Sequence, residues 1–532
     1  MRQWMVAAKK ADFYVIAEKF HVDPVVARII RNREVIGEKN IRIYLGGNLS
    51  DLSDPHQMKD MDRLVEILAQ KIRKQVHIRI IGDYDVDGVT SSHLFLTALR
   101  RVGAKVDVVI PHRIQDGYGL SLHLLQQAKE DGVDTILTCD NGIAAIDEIA
   151  WAKAQKMTVL VTDHHAVPFE EHEGRRTEKK SLADAVVNPH QQDCGYPYKE
   201  LCGAGVAWNV IRVLYENYDM DKREAEDLLD FVAMATVCDV MSLTGENRIL
   251  VKEGLKRIRH TKNIGLQALM QACNVQPENI SAYHFGYVLG PCVNATGRLD
   301  TARHALRLFE TGQETEAEEI ARDLVDLNQE RKELTLQGVE MAKKLCEEGG
   351  YENDPVLVLF LPDVHESIAG LIAGRIREMY NRPVFVLTRG EEGVKGSGRS
   401  TENYSMYENM CGCAELFTKF GGHPMAAGLS LPEENVEKFR RKINENCPLT
   451  VEEVCPDIHI DMAMPVGYAS TELVHQFALL EPFGKDNPSP LFADRNLSIS
   501  RMWVIGKNRN VLRMSVLSEY GQPVPVIFFG DV

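Results

Sequence analysis

The sequence predicts an α/β protein: a parallel-sheet domain, a second α/β domain joined to it by a long helix, and a β-rich terminal module. Three observations carry that prediction. Short β-rich runs alternate with helical stretches from about residue 75 to 190, and the stretch 314–348 is nearly free of Gly and Pro. The last 75 residues then return to short β-type runs.

The first block contains VHIRIIG (76–82), KVDVVI (105–110), DTILTC (134–139), TVLVT (158–162) and AVVN (185–188). Helix-like segments such as SSHLFLTALRRVG separate them, the rhythm of a mainly parallel sheet covered by helices. The charged segment EEHEGRRTEKK (170–180) reads as a solvated loop. From about 200 to 310 helical periodicity takes over. In 314–348 the apolar residues Ile320, Leu324, Leu327, Leu334 and Leu345 fall at roughly helical spacing, predicting one or two connector helices ended by Gly349 and Gly350. A second α/β block follows through PVLVLFL, SIAGLIAGRIREMY and PVFVLTRG. The expected divisions are 1–74 (an extension packing on the core), 75–310, 311–350 (connector), 351–455 and 456–532. The last would be a small barrel short of strands, as a truncated module would be.

At 532 residues the chain exceeds one ordinary core. A net charge of −16 argues against a protein that coats nucleic acid nonspecifically. It leaves a nuclease open, because carboxylates around metal ions are themselves negative. The 11 cysteines include no CxxC pair, and they read as buried reduced thiols. No apolar run is long enough for a membrane span, and Lys9, Lys10 and Asp12 interrupt any signal-peptide plan, so a cytoplasmic protein without membrane partners is expected.

The chemistry lies at the strand ends. One run leads into Asp83, Asp85 and Asp87, another into Asp140, and a third into Asp163, His164 and His165. The carboxyl ends of parallel strands share one edge, where ligands bind. Asp239 follows the apolar run FVAMATVC and could pass beneath that edge. Oxygen donors with imidazole suit Mn²⁺ or Mg²⁺ better than a soft thiolate metal. Bland readings exist for each piece. Asp83-x-Asp85-x-Asp87-Gly88 imitates a calcium loop, but the twelfth position is Leu94 and a strand precedes it. A solvated acidic turn or a helix cap would also accommodate single motifs; the set at matching strand ends is harder to explain that way.

GDYDVDG (82–88), TCDNGI (138–143), TDHH (162–165) and TVCD (236–239) resemble the four motifs of the DHH phosphoesterase family. GGHPMAAG (421–428) resembles the glycine-rich motif of its DHHA1 domain. PHRIQDGYGL (111–120), NATGR (294–298), GSGRS (396–400) and EPFGKDNPSP (481–490) narrow the resemblance to the RecJ-type exonucleases. It covers nearly the whole chain from about residue 75. It implies a 5′-to-3′ exonuclease that releases 5′-mononucleotides from single-stranded DNA in repair and recombination, with an OB-like terminal module. It also implies two divalent cations, Mn²⁺ or Mg²⁺, held by Asp85, Asp87, Asp140, His164, His165 and Asp239. Asp140 would bridge them and Asp83 would support the first motif. Asp140, His164 and His165 stand at the catalytic centre of that reading. Helicases and single-strand-binding protein come into view as partners.

In the second block Gly421 and Gly422 would let backbone approach a phosphate, with His423 as a donor. Ser397, Arg399 and Arg113 resemble the residues that recognise the 5′-terminal phosphate, a task suited to the planar guanidinium fork. Arg298 is a candidate for the scissile or adjacent phosphate, and Tyr118 for stacking on a base or sugar. A tight turn, ordinary surface arginines and a packed tyrosine are the structural alternatives. His365-Glu366 begins like a zinc-protease motif but continues to Ala369, and Gly370…Gly374 reads as close helix packing. Two competing functions remain: a DHH phosphodiesterase on oligoribonucleotides, cyclic dinucleotides or pyrophosphate, and a non-catalytic DHH scaffold.

Overall fold

The computed structural model describes residues 4–113, 116, 119–172, 175–351, 354–390, 393–449, 458–506 and 509–530. Its first sheet contains β1 (Ile78–Ile81), β2 (Val106–Val109), β3 (Thr135–Cys139), β4 (Thr158–Thr162) and β5 (Ala185–Val187) in the order β2-β1-β3-β4-β5. Every pairing is parallel, as the alternating pattern predicts. Register matters for function. Ile81 of β1 pairs with Thr138 of β3, and Cys139 pairs with Thr162 of β4. The three chains therefore leave the sheet within a residue or two of one another, and the polar residues that follow emerge on one rim.

The central strands read as continuous apolar runs because both faces are covered. On one face α1 (Met61–Arg73), α2 (Val86–Arg101), α3 (Gly203–Asn217) and α4 (Leu229–Cys238) build the largest core, with Phe95, Trp208 and Phe231 inside it. Helices α5 (Ile264–Ala272) and α6 (Gly290–Leu299) extend that core. On the other face Leu124, Leu125 and Ile149 cover Ile136 and Val159. The charged stretch expected as a loop instead carries a two-stranded antiparallel hairpin, Phe169–His172 with Arg175–Glu178. Charge density disguised it, since cross-strand pairing needs no apolar face at an exposed site.

The connector is a single 35-residue helix, α7 (Glu314–Glu348). The second domain has β6 (Leu357–Phe360), α8 (Ala369–Tyr380), β7 (Val384–Gly390), β8 (Gly393–Arg399), β9 (Lys419–His423) and β10 (Ala426–Leu431). Its sheet runs β9-β10-β8-β7-β6, with only β6 and β7 parallel. The terminal module contains an antiparallel sheet of β11 (Ser498–Ile505), β12 (Val511–Leu517) and β13 (Pro523–Phe529).

The amino-terminal segment divides. Met58 to Ile72 joins the main core. Earlier residues pack against the far end of the chain: Trp4–Val6 pairs in parallel with Ile458–Ile460, and Ile29, Ile30 and Tyr44 share a cluster with Met464, Leu473 and Leu480. Arg33 holds Asp461 bidentately at 2.7 and 3.0 Å in a buried setting. Among the described residues no helix is long and apolar enough to cross a membrane.

Candidate active site and metal centre

Each acidic motif is placed by a local device. Asp85 caps α2 by accepting from Gly88 N at 3.0 Å, so its carboxylate is fixed at the helix entrance. One turn in, Asp87 accepts from Gly203 N at 2.6 Å and Ala204 N at 2.8 Å, which places it at the amino end of α3. Gly203 must be glycine: a Cβ there would lie 2.6 Å from Asp140 Cβ. Asp140 adopts φ 60°, the left-handed region, immediately after β3. That conformation turns its carboxylate back across the sheet edge at a cost in backbone strain.

These side chains meet as the strand ends predict. His164 Nε2 lies 3.0 Å from Asp140 Oδ1, 3.6 Å from Asp239 Oδ2 and 3.7 Å from Asp87 Oδ2. Three overlapping groups have ligand atoms within 4.8 Å of one another: Asp140, His164 and His165; Asp87, His164 and Asp239; and Asp83, Asp85 and Asp140. Asp140 belongs to two of them, the position a bridging carboxylate requires. Asp83, expected only as support, stands in a ligand-capable trio.

Asp163 does different work. Its Oδ1 accepts from His164 N at 2.7 Å, His165 N at 3.0 Å and His165 Nδ1 at 2.8 Å, and its Oδ2 from Ile143 N at 2.9 Å. It therefore orients the second histidine through Nδ1, a carboxylate–imidazole contact of the kind that supports metal sites. Sequence spacing could not separate this carboxylate from the ligating ones.

The electrostatics fit a site built for cations. Burial, followed by neighbouring carboxylates, raises the pKa of Asp83, Asp85, Asp140 and Asp239. Burial lowers His164 and keeps it neutral. Burial also works against charge on His165, but the bond to Asp163 prevails and holds it at about 9. Asp163 itself is lowered: burial opposes its charge, and the histidines more than offset that. Asp83 Oδ1 and His164 Nε2 are buried with no hydrogen-bond partner, an arrangement that costs free energy unless something positive lies between such acceptors. Hard oxygen donors with two imidazoles fit Mn²⁺ or Mg²⁺.

Beside the cluster, a cavity of about 480 Å³ opens between the two domains. Arg113, Arg298, Ser397, Arg399 and Gly421 line it, together with Tyr84, Ser367 and Gly370. Tyr84 lies between two of the metal-site aspartates in sequence, and Arg113 stacks over its ring at 4.9 Å. Arg298 donates to Ser367 O at 2.6 Å, and Arg399 donates to Ser397 Oγ at 3.2 Å and Gly398 O at 2.7 Å. Burial and then the other arginines lower Arg298 to about 10, and Arg399 is lowered for the same reasons. Among the described residues one carboxylate lines the cavity, Glu366, and it pairs with Lys395 at 2.8 Å. Converging guanidiniums with so little anionic compensation make an anion site.

Three expectations need revision or fall elsewhere. Gly422 and His423 are exposed and do not line the cavity; only Gly421 does, with open space where its Cβ would be. The cavity is lined by Lys419, Phe420 and Gly421 of β9 and by Gly428, Leu429 and Ser430 of β10, so the lining ends at the Gly421–Gly428 pair and the tip of the hairpin carries Gly422 and His423 past it. Tyr118 lies outside the described residues. Gly370 was read as a helix-packing residue, and its packing serves the site: a Cβ would stand 2.8 Å from Ser397 Oγ and 2.9 Å from Arg399 Nη2.

Comparison with known proteins agrees with this geometry. The chain matches the family models described as the DHH family N-terminal domain over 77–236, the DHHA1 domain over 353–447 and the RecJ OB domain over 460–532. The single-stranded-DNA-specific exonuclease RecJ of Haemophilus influenzae is 34% identical over 518 residues, spanning 94% of this chain and 88% of that protein. The Escherichia coli protein of the same name is 33% identical, with 94% and 88% covered. The Bacillus subtilis one is also 33% identical, and there the match spans 95% of this chain but 63% of the relative's length. The crystal structure of Thermus thermophilus RecJ in complex with Mn²⁺ superposes with a TM-score of 0.81 at 26% identity, covering 99% of this chain and 79% of that one. With the acidic rim, the arginine-lined cleft and the three domain matches in agreement, the chain belongs to the RecJ family of DHH proteins.

Proposed function

We propose that the protein is a metal-dependent exonuclease that degrades single-stranded DNA from the 5′ end, releasing 5′-mononucleotides, in DNA repair and recombination. The carrying observation is the adjacency of two sites: a carboxylate–imidazole cluster able to hold two cations, and an arginine-lined cleft facing it across Tyr84. Asp85, Asp87, Asp140, His164, His165, Asp239 and Asp83 would hold the ions. Bound there, Mn²⁺ or Mg²⁺ would acidify a water and offset charge on the phosphate under attack. Asp140 and His164 fix the spacing within the cluster, and Asp163 holds the His165 ring in place. Arg113, Arg399 and Ser397 take the terminal 5′-phosphate, while Arg298 neutralises an adjacent phosphate and ties the domains together. Water is the attacking group in this reading, because a water acidified by the bound ions makes a protein nucleophile unnecessary.

A path for the rest of the strand also exists. Tyr283 and Tyr287 are exposed and stacked at 5.2 Å, on the helical segment leading into α6, where the Cys238 thiol donates to Phe285 O beside Asp239. Exposed, parallel tyrosines offer a surface on which bases stack without sequence preference. Because the substrate is single-stranded, a helicase and single-strand-binding protein are the partners that would supply and present it.

The test is a time course on an oligonucleotide with a labelled 3′ end and a 5′-phosphate, with Mn²⁺ or Mg²⁺. Progressive shortening from the 5′ end with mononucleotide release supports the reading. Cleavage confined to dinucleotides would reassign the protein to a small-substrate phosphodiesterase, and no hydrolysis of any substrate would leave a scaffold.

A further inference from the structure

Cys273 caps the end of α5, and Cys292 lies in the first turn of α6. Their Sγ atoms are 3.7 Å apart. Asn328 Nδ2, from α7, donates to Cys292 Sγ at 3.3 Å, and Cys292 Sγ meets Val288 O at 3.3 Å. Other buried thiols are differently placed: Cys139 and Cys202 sit against the hydroxyls of Ser92 and Thr236. Cys292 is buried, while Cys273 is partly exposed and reachable from solvent. A disulfide needs sulfurs about 2.05 Å apart, so bridge formation requires the two side chains to close from their present separation.

We infer that Cys273 and Cys292 form a dithiol site that peroxides convert reversibly to a disulfide bridging α5 and α6. Cys273 is the attacking thiol. The hydrogen bond from Cys292 lowers its pKa against the opposing effect of burial, and Lys332 adds to the lowering. The Cys273 sulfur bonds to one peroxide oxygen, the O–O bond breaks, and the other oxygen leaves as water with the Cys273 proton. Cys292 then attacks the resulting sulfenic sulfur. The S–O bond breaks as the S–S bond forms, and the departing oxygen leaves as a second water with the Cys292 proton. Two thiols and one peroxide thus give one disulfide and two waters; both sulfurs are oxidised and both peroxide oxygens reduced.

The bridge acts on a helix that backs the metal loop. Asn294 Oδ1 of α6 accepts from Val86 N at 3.1 Å, Gly297 packs under Tyr84 O, and Arg298 crosses to the second domain. Bridge formation does not depend on the proposed nuclease activity, so chemistry alone tests it.

The full chain carrying Cys411→Ser, which removes an exposed thiol that could pair between molecules, is treated with hydrogen peroxide, alkylated, digested and analysed by mass. The expected result is one peptide pair joined through Cys273 and Cys292, lighter by two hydrogens and separated by dithiothreitol. With Cys292→Ala added, Cys273 stops at a sulfenic acid that dimedone traps; with Cys273→Ser added, Cys292 remains alkylatable. Circular dichroism establishes that each variant is folded. Cys273 still fully alkylatable after oxidation of the folded parent, or a bridge formed instead by another pair, overturns the assignment.

Discussion

Arg298 donates to the main-chain oxygen of Ser367 at 2.6 Å, a partly buried bond that links the α6 motif of the first domain to the turn before α8 in the second. The same guanidinium faces the arginine-lined cleft, so one side chain both sets the cleft's width and supplies part of its charge.

Arg298→Ala should therefore lower kcat/KM on single strands by about 10- to 100-fold, the size expected from losing charged hydrogen bonds. Arg298→Lys should recover only part of this, because an ammonium cannot reproduce the fork. Steady-state cleavage of a 5′-phosphorylated strand checks both, and full recovery with lysine would rule out the bidentate role.

Asp140→Asn should abolish hydrolysis yet stabilise the metal-free protein. Burial and four neighbouring carboxylates raise the Asp140 pKa, so ionising it in the folded state is unfavourable. The carboxamide is neutral and still tolerates the left-handed backbone. Thermal unfolding in EDTA should show a higher Tm than the parent, and substantial residual Mn²⁺-dependent cleavage would remove Asp140 from the centre.

Metal and pH should act together on stability. The raised pKa values of Asp83, Asp85, Asp140 and Asp239 mean that the folded, metal-free protein binds more protons than the unfolded chain above the ordinary carboxylate range. Its stability must then fall as pH rises from about 4 through those raised values. Mn²⁺ competes with the protons, so the Tm increment on adding it should be larger at pH 8 than at pH 5. An increment that does not depend on pH would show that these carboxylates are not where the ion binds.

Arg399→Ala should weaken the preference for 5′-phosphorylated over 5′-hydroxyl ends, and Gly370→Ala should do the same from the other side. The added methyl would press on Ser397 Oγ and Arg399 Nη2, ends of flexible side chains that can move aside, so the fold should survive while the phosphate contacts shift. Competition between the two end types measures this, and an unchanged ratio in Arg399→Ala would reject the end-recognition role.

Away from the site, Asp230 is buried on α4, accepts from Thr261 Oγ1 at 2.6 Å, and is raised by burial to about 6. It takes up a proton on folding between pH 4 and 6, so its cost is absent below that window and complete above it. Asp230→Asn should stabilise the protein by about 3 kcal/mol at pH 7.5 and by little at pH 4. Urea unfolding at the two pH values would show it.

Much of this architecture could be read from the chain because strand periodicity is local, and parallel strands deliver their ends to one rim whatever else the fold does. Asp85, Asp140, His164 and Asp239 were legible for that reason. Asp163 was not distinguishable from a ligand, since its hydrogen bonds to His165 and Ile143 exist only once the loops close. Gly203 and Gly370 look like ordinary helix glycines until the side chains of Asp140 and Arg399 lie against them. The β9 motif misled in the opposite direction: Gly421, Gly422 and His423 are contiguous in sequence, but the cleft lining ends at the Gly421–Gly428 pair and the hairpin tip carries the other two beyond it. Cys273 and Cys292 are scattered thiols in sequence and become a pair because α5 and α6 both pack against the connector α7.

The pairing of Trp4–Val6 with Ile458–Ile460 has a consequence for biosynthesis. The amino-terminal segment is synthesised more than four hundred residues before its partner, so Ile29, Ile30 and Tyr44 lack the covering side chains of Met464, Leu473 and Leu480 while the intervening chain is made. A nascent chain stalled after the second domain would present that apolar surface to chaperones and proteases, even with the nuclease centre already assembled.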